Sequence, residues 1–406
     1  MPFSGLSAPP PLVINWGLGV ESSSYLTRVL ADPDRFGVDL ASTVVVHAVT
    51  GNEWPDSLAL AEEYLLPRMR AAGLRLVQVA RAGQFEKAGI EVLDDTHSPT
   101  RIHAAGSWKL SDELSITGTV PQIVSGQRRC SLKYKIWPLT RWIAAEFGDQ
   151  PYRQVIGYNA DEQFRRDRDL KHEARRGRSG RLPEFPVLDW GWGREICDLY
   201  LQAEYGTQWA KSACWLCPFP ANLEGLPRHL ARMRRHPEHA VAALRLEFVA
   251  TALNPASTLY GAKSLLAEIT KDGNTAALAS HAADLTRSTW AVYHVRRLIP
   301  ATKADPSRKG RALRSVRVLH TADREGATAW MRSEAARLKA TLVQEGTDHE
   351  RAWTCTRGET LPAIEAFLVS APADVMAKER SGFAAAWAAA TGELLTAGEG
   401  WQLALW

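Results

Sequence analysis

The chain has 406 residues, more than one hydrophobic core usually serves, so we expect two domains. Hydrophobic residues make up 45% and charged residues 23%, which is typical of a soluble globular protein. No run of 18 apolar residues occurs, and MPFSGLSAPPPLVINW lacks the charged start and apolar core of a signal peptide. We therefore expect a cytoplasmic protein with no membrane span. The net charge of +4 means that affinity for nucleic acid must come from local basic patches.

The first half of the chain alternates strand and helix patterns. Strand patterns occur in PLVINW, STVVVHAVT, LRLVQVAR and YRQVIGYNADE, and helix patterns occur in SSSYLTRVLAD, EWPDSLALAEEYLLPRMRAAG and LKYKIWPLTRWIAAEF. Residues 82–125 show no regular pattern. The alternation predicts an α/β fold, in which a parallel sheet is covered by helices on both faces. Ligands bind beyond the carboxyl ends of such strands, where Gly17–Ser23, Thr50–Trp54 and Asn159–Arg166 are expected.

The pattern changes near residues 220–230, which predicts a first domain over 1–225 and a second over 226–406. Helix patterns follow in HLARMRRHPEHAVAALRLEFVATAL and SLLAEIT, and two strand patterns, WAVYHVRRLIP and RALRSVRVLH, flank the basic loop ATKADPSRKG. Two more helices are predicted over GATAWMRSEAARLKATLV and PAIEAFLVSAPADVMAKERSGFAAAWAAAT. We expect a helix-rich, mixed α+β domain that recognises the substrate.

A glycine-rich turn, NWGLGVESSSYL, follows the first predicted strand. Gly17 and Gly19 permit a tight path, and Ser22 and Ser23 supply hydroxyl groups near the start of a helix. The turn has neither the Gly-Lys-Ser/Thr of a Walker loop nor the third glycine of a Rossmann fingerprint. From these residues alone, a phosphate-binding loop and a plain strand-to-helix connection are equally open.

Five segments between residues 12 and 220 share one order with those of a known group. The first is Gly17-Leu18-Gly19-Val20-Glu21-Ser22, and the others are TGNEWP from Thr50, RCSLKYKIWP from Arg129, GYNADE from Gly157 and KSACWLCPF from Lys211. Together they resemble the PP-loop ATP pyrophosphatase superfamily and, within it, the phosphoadenosine-phosphosulfate-reductase-like family. The first segment is similar to the superfamily's Ser-Gly-Gly-x-Asp-Ser loop, from which it departs at Gly17, Leu18 and Glu21.

The resemblance implies a Rossmann-like fold of the adenine nucleotide alpha hydrolase type, with ATP and Mg²⁺ as ligands. ATP would be cleaved between its α- and β-phosphates to adenylate a substrate. The residues implied to bind the nucleotide are Gly17, Leu18, Gly19, Val20, Glu21, Ser22, Ser23, Thr50, Gly51, Asn52 and Gly157. The implied catalytic residues are Arg166 and Lys133, which would offset phosphate charge, and Asp161 and Glu162, which would hold metal or orient substrate. A solvated charged loop remains the alternative for Asp161, Glu162 and Arg166.

The chain has five cysteines, which are too few and too scattered for a disulfide framework. Cys214 and Cys217 form a CxxC pair, whose spacing suits one metal. Cys130 lies in the segment that holds cluster cysteines in related reductases, so the resemblance implies three ligands to a [4Fe–4S] cluster. Cys197 is either a fourth ligand, to a cluster or to Zn²⁺, or a buried helix residue. Cys355 matches no motif, and we expect it to be structural.

Basic segments occur in FRRDRDLKHEARRGRSGR, ARMRRH and VYHVRRLIPATKADPSRKGRALRSVRV. They fit either a phosphate backbone or a solvated surface. The nearest resemblance within the family is to DNA and RNA sulfurtransferases. It implies an enzyme that adenylates a nucleic-acid or nucleobase acceptor (DNA or tRNA) and inserts sulfur from a donor such as a cysteine desulfurase.

Two other functions stay open from the sequence. One is a small-molecule ligase of the amide- or nitrile-forming type, with a structural zinc. The other is a nucleotide- or nucleic-acid-binding protein that has lost catalysis, for which the departures at Gly17 and Glu21 are the main support.

Overall fold

The computed structural model describes residues 9–121, 123–124, 127–176, 180–221, 225–345 and 348–392. Its strands are Leu12–Asn15 (β1), Thr43–Val49 (β2), Arg75–Arg81 (β3), Ile90–Thr96 (β4), Ile123–Val124 (β5), Gln127–Arg128 (β6), Tyr152–Ile156 (β7), Arg181–Glu184 (β8), Trp290–Ile299 (β9), Leu313–Ala322 (β10), Thr341–Glu345 (β11), His349–Cys355 (β12), Ala363–Pro372 (β13) and Lys378–Glu379 (β14).

Its α-helices are Val20–Ala31 (α1), Pro55–Leu60 (α2), Leu66–Ala71 (α3), Leu110–Thr117 (α4), Arg129–Ser131 (α5), Trp137–Phe147 (α6), Gln163–Arg176 (α7), Pro186–Asp189 (α8), Arg194–Tyr205 (α9), Gly225–Arg235 (α10), Pro237–Leu253 (α11), Leu265–Lys271 (α12), Thr275–Arg287 (α13), Arg324–Arg337 (α14) and Phe383–Thr391 (α15). A π-helical turn joins α2 to α3 and another joins α5 to α6. None of the helices in the described parts of the chain combines the length and apolar character needed to cross a bilayer.

The chain divides into two compact units. The first comprises Met1–Ser111 and Gln122–Trp215, and the second comprises Asp112–Pro121 and Leu216–Trp406. The second unit therefore takes a short segment from the first half of the chain in addition to the C-terminal half.

The first unit is built on a six-stranded sheet in the order β4-β3-β2-β1-β7-β8, parallel except for β4. The chain runs outward from β1 through β2 and β3, and later returns to the other side of β1 with β7 and β8. The strand order therefore reverses between β1 and β7. In open α/β sheets, this reversal point is where ligands bind.

Helices cover both faces of this sheet, as the alternating sequence pattern predicts. On one face, the core joins Ile14 and Val45 to residues of α1, α3 and α9. On the other face, Val13 and Val77 pack against Trp142 and Ile143 of α6. Because β1 and β2 are buried on both faces, they are nearly continuous apolar runs rather than alternating ones.

The second unit is built on a six-stranded antiparallel sheet in the order β11-β12-β13-β9-β10-β14. Val249 and Leu253 of α11 pack with one face of this sheet. Met331 of α14 packs with the other face, and α15 adds Phe383 and Trp387 there. The predicted strands on either side of the basic loop are confirmed as β9 and β10.

Three predictions of local structure are wrong. Residues 82–125, predicted to be irregular, contain β4 and α4. The helix predicted over 326–343 ends at Arg337 and is followed by β11, and the helix predicted over 362–391 is largely β13, with only α15 at its end helical. The β13 side chains are buried almost throughout. A segment that is apolar on both faces shows no hydrophobic periodicity, so its sequence does not distinguish a strand from a helix.

Candidate functional site

Four segments of the first unit meet beyond the carboxyl ends of β1, β2 and β7. Three of them are the loops that directly follow these strands, and the fourth is the segment from Trp209 to Trp215. Because the three strands are adjacent and parallel, their loops emerge at one edge of the sheet.

The loop between β1 and α1 presents its backbone rather than side chains. Gly17 is exposed, and a Cβ atom built on it would meet no atom within 4 Å. Leu18 takes a left-handed conformation, with φ of 58°, that buries its side chain completely. Gly19 precedes α1 in an extended conformation and, as a glycine, offers no side-chain cap to the first turn. A left-handed residue before an uncapped helix start is the arrangement by which backbone N–H groups bind anions.

Side chains beneath the loop hold it in place. The hydroxyl of Ser23 accepts a hydrogen bond from Trp16 Nε1 at 3.1 Å, and both residues are almost fully buried. The Trp16 carbonyl lies 2.9 Å from Nδ1 of His47, whose pKa is lowered mainly by burial. Ser22 Oγ donates to the Gly19 carbonyl at 3.3 Å. Of the two serines predicted to bind phosphate, Ser22 is nearer the surface, because it is 9% exposed and Ser23 is fully buried.

Glu21 links this loop to two other parts of the unit. Its Oε1 accepts hydrogen bonds from Asn159 Nδ2 at 3.1 Å and from Arg194 Nη1 at 3.3 Å. The loop after β7 also approaches the helix start directly, because a Cβ atom on Gly157 would lie 3.0 Å from the backbone nitrogen of Ser22. Gly157 is thus a position where absence of a side chain permits close approach.

The loop after β2 is organised by Glu53. Its carboxylate accepts hydrogen bonds from Thr50 Oγ1 at 2.7 Å and from the Asn52 amide at 3.2 Å. The side-chain oxygen of Asn52 in turn accepts from the Ser111 amide at 2.9 Å. Gly51 has φ of 79°, and a Cβ atom on it would lie 2.4 Å from Cγ of Lys109. Lys109 therefore lies across this loop.

The segment 209–215 contacts both of these loops. Trp209 Nε1 donates to the Leu18 carbonyl at 3.1 Å, and Ser212 Oγ would lie 2.7 Å from a Cβ atom on Gly19. Cys214 forms a β-bridge with Glu53, and the amide of the next residue donates to Asn52 O at 3.0 Å. Cys214 is thus held beside the loop after β2.

The predicted catalytic residues occupy the surface around this edge. The Asp161 carboxylate would lie 3.3 Å from a Cβ atom on Gly193. Glu162 pairs with Arg165 at 2.5 Å, and Arg166 pairs with its neighbour Asp167 at 3.0 Å. These two pairs are formed by residues close in sequence, as on a solvated charged helix. Lys133 lies in the π turn before α6, and its carbonyl oxygen accepts from Arg81 at 3.4 Å.

The cysteines differ sharply in their surroundings. Cys197 is fully buried in the core, and burial, with the charge of Glu21, raises the pKa of its thiol to about 12. Cys130, Cys214 and Cys217 are partly exposed. Cys214 belongs to the first unit and Cys217 to the second. Within the described residues, no three or more His, Cys, Asp or Glu side chains are grouped so as to hold a metal ion.

Several residues of this site are absent from the predicted site residues. Lys109 falls in the stretch predicted to be irregular, and Arg194 lies in none of the five segments that carry the resemblance. Ser212 and Asn159 lie inside two of those segments, but the resemblance implies no role for either. Comparison with protein-family models, curated proteins and solved structures finds no match to this chain.

Proposed function

We propose that this chain is an ATP-dependent enzyme of the PP-loop type, which cleaves ATP between the α- and β-phosphates and adenylates an acceptor oxygen. The observation that carries the proposal is the β1–α1 loop, with an exposed Gly17, a left-handed Leu18 and an uncapped helix start at the reversal point of the sheet. Backbone N–H groups in such a turn, together with the positive helix end, bind phosphate.

Each predicted nucleotide-binding residue has a role in this proposal. The amides between Gly17 and Val20 and the hydroxyl of Ser22 hold the leaving pyrophosphate, while Ser23 keeps the loop in shape through Trp16. Thr50, Gly51 and Asn52 form the neighbouring wall of the site. Gly157 allows the loop after β7 to approach the first turn of α1 at Ser22. These are the residues expected from the sequence, with one difference. Ser23 supports the loop through Trp16 and does not contact the phosphate.

Charged groups supply the remaining chemistry. Glu21 and Asp161 would hold a Mg²⁺ ion that arrives with the nucleotide, because Mg²⁺ prefers carboxylate oxygens, and the ion would neutralise charge on the pyrophosphate. Glu21 is held by Asn159 and Arg194, which fixes its direction. Lys109, Lys133 and Arg166 offset charge on the α-phosphate as the acceptor oxygen attacks, with Glu162 orienting the acceptor.

The second half of the proposed reaction transfers sulfur to a nucleic-acid or nucleobase acceptor. A donor such as a cysteine desulfurase delivers the sulfur as a persulfide, whose terminal sulfur attacks the adenylated acceptor and displaces AMP. A second thiol then attacks the resulting disulfide, which frees the thiolated acceptor and leaves a disulfide between the two thiols. Cys214 lies beside the loop after β2, because it forms a β-bridge with Glu53. The described residues do not group three ligands, so we assign no step to a [4Fe–4S] cluster or to Zn²⁺. Cys197 is a poor ligand, because its pKa disfavours the thiolate.

The products of ATP turnover test the first half. Labelled ATP should yield AMP and pyrophosphate in the presence of an acceptor, and ADP with phosphate would contradict the proposal. We expect Gly17→Ala to weaken ATP binding at least about 10-fold, or about 1.4 kcal/mol, because the added methyl occupies the path of the phosphate. The urea unfolding midpoint should not change, since that methyl meets no protein atom. Gly358→Ala, at another open glycine, is the matched control.

Transfer of labelled sulfur from the donor to a nucleic-acid acceptor tests the sulfur-transfer half, and its loss in Cys214→Ala links the transfer to that thiol. About one zinc per colourless chain, found by metal analysis, favours the ligase alternative. ATP binding without pyrophosphate release favours the nucleotide-binding alternative.

A further inference from the structure

The loop between β9 and β10 is a built structure rather than an open connection. Thr302 Oγ1 donates to the Asp305 carbonyl at 2.8 Å, and the Thr302 amide donates to the Arg308 carbonyl at 2.8 Å. The Gly310 amide donates to the Pro300 carbonyl at 2.7 Å, and Ala301 forms a β-bridge with Lys309. These bonds fix the direction of residues 300–312, which we call the hairpin tip.

The hairpin tip carries a positive charge that no neighbouring carboxylate neutralises. Lys303, Arg308, Lys309 and Arg311 are all exposed, and within the described parts of the chain none of them forms an ion pair. The one acidic residue of the tip, Asp305, accepts hydrogen bonds from the amide and the hydroxyl of Ser307. Four cations therefore face solvent on a fixed support.

The positive charge continues into the root of the hairpin. Arg297 and Arg357 share a single buried carboxylate, Glu365, at 2.7 and 2.8 Å. Arg314 on the opposite strand donates to the Thr117 carbonyl, and burial, with the charge of Arg297, lowers the pKa of Arg314 to about 10. Two guanidinium groups thus share one carboxylate and a third is bonded to a neutral carbonyl, so the root adds to the positive charge of the tip.

We propose that the hairpin tip is a docking surface for the phosphate backbone of a nucleic acid, with Lys303, Arg308, Lys309 and Arg311 as its contacts. This inference rests on the proposed function, because it supplies a binding element for the nucleic-acid acceptor. The tip has no aromatic or large aliphatic side chain between Pro300 and Ala312, so its contacts are to phosphate and independent of base sequence. The same absence argues against a lipid surface, since interfacial segments bury apolar side chains.

The test is fluorescence anisotropy with a labelled DNA duplex and a labelled RNA duplex, without ATP, on the full chain over a range of salt. The hairpin variant carries alanine at four positions, Lys303, Arg308, Lys309 and Arg311. The control variant, with the same net charge, carries alanine at four exposed cations elsewhere in the second unit, Lys271, Arg287, Arg332 and Arg337. Thermal unfolding of both variants checks that they are folded.

Four phosphate contacts predict a log–log salt slope of about −3.6 from the tip, or roughly 100-fold weaker binding between about 50 and 200 mM salt. The hairpin variant should lose about three to four units of that slope and bind about 100-fold more weakly at low salt, and the control should bind as the wild type. Equal loss in both variants, or no loss in the hairpin variant, overturns the inference. The inference is also overturned if the hairpin variant no longer binds anionic phosphatidylserine vesicles but still binds both duplexes. That result would assign the tip to membranes.

Pyrophosphate release, measured on the same preparations with a small nucleoside acceptor, separates the two proposals. Tip-dependent binding without pyrophosphate release refutes the proposed catalysis and keeps the docking surface. Pyrophosphate release without tip-dependent binding refutes the docking surface and keeps the catalysis.

Discussion

The close approach of Gly157 to the first turn of α1 gives a direct test of the proposed phosphate site. In Gly157→Ala, the new methyl would lie 3.0 Å from the backbone nitrogen of Ser22 and 3.2 Å from its Cα. Relaxed contacts between such atoms are about 3.5 to 4.0 Å, so the two backbones must separate by about half an ångström. Both partners are backbone, and no flexible side chain can absorb the change.

Overpacking of this kind costs about 1 to 3 kcal/mol. The displaced group is the backbone of Ser22 in the first turn of α1, and Ser22 carries the hydroxyl that we assign to phosphate binding. We therefore expect Gly157→Ala to weaken ATP binding by about 5- to 100-fold, in addition to a lower free energy of unfolding. Calorimetric titration with a non-hydrolysable ATP analogue and urea unfolding measure the two effects on one preparation.

The combination of results decides the interpretation. Gly358→Ala, where a Cβ atom meets nothing within 4 Å, should leave both quantities unchanged. A lower unfolding free energy with unchanged ATP affinity would refute the assignment of the Ser22 hydroxyl to phosphate. No change in either quantity would show that the backbones of Gly157 and Ser22 are not in close contact.

Two further predictions concern buried titratable groups. Burial, with the charge of Arg351, lowers the pKa of His349 to about 3, so as pH falls below about 6.5 the unfolded state takes up the proton first and stability decreases. Between pH 7.5 and about 5, protonation of His349 in the unfolded state should lower the unfolding free energy of the wild type by about 2 kcal/mol. Urea unfolding at the two pH values measures this loss. A midpoint that falls by the same amount in His349→Gln would contradict the prediction. The buried Cys197 thiol, with its raised pKa, should resist alkylation by iodoacetamide at about pH 8, while the partly exposed Cys214 reacts. Peptide mass spectrometry measures the two alkylation rates. Equal rates would restore Cys197 as a candidate metal ligand.

The fold of the first unit could be predicted because its sequence is locally consistent. Strands such as TVVVHAV of β2 are strongly apolar and β-branched, and helices with polar faces separate them. The edge strand β4 could not be predicted, because IEVLDDT is half polar and its place in the sheet depends on pairing with β3. In the second unit, β13 was missed because its apolar side chains are buried between α11 on one side and α14 and α15 on the other.

The site residues that could be predicted are those that follow a recognisable strand, and those that come from distant segments could not be predicted. The loops after β1, β2 and β7 could be located because they follow recognisable strands, and parallel strands bring their ends together. Lys109, Ser212 and Arg194 could not, because each reaches the site from a segment far away in sequence. Leu18 shows the limit most clearly. A sequence rule places glycine at a left-handed position, yet here the leucine side chain is anchored in the core and the strain falls on the loop that we assign to phosphate. If that strain serves binding, Leu18→Gly should relax the loop and weaken ATP affinity without a loss of unfolding free energy beyond that of the lost leucine side chain.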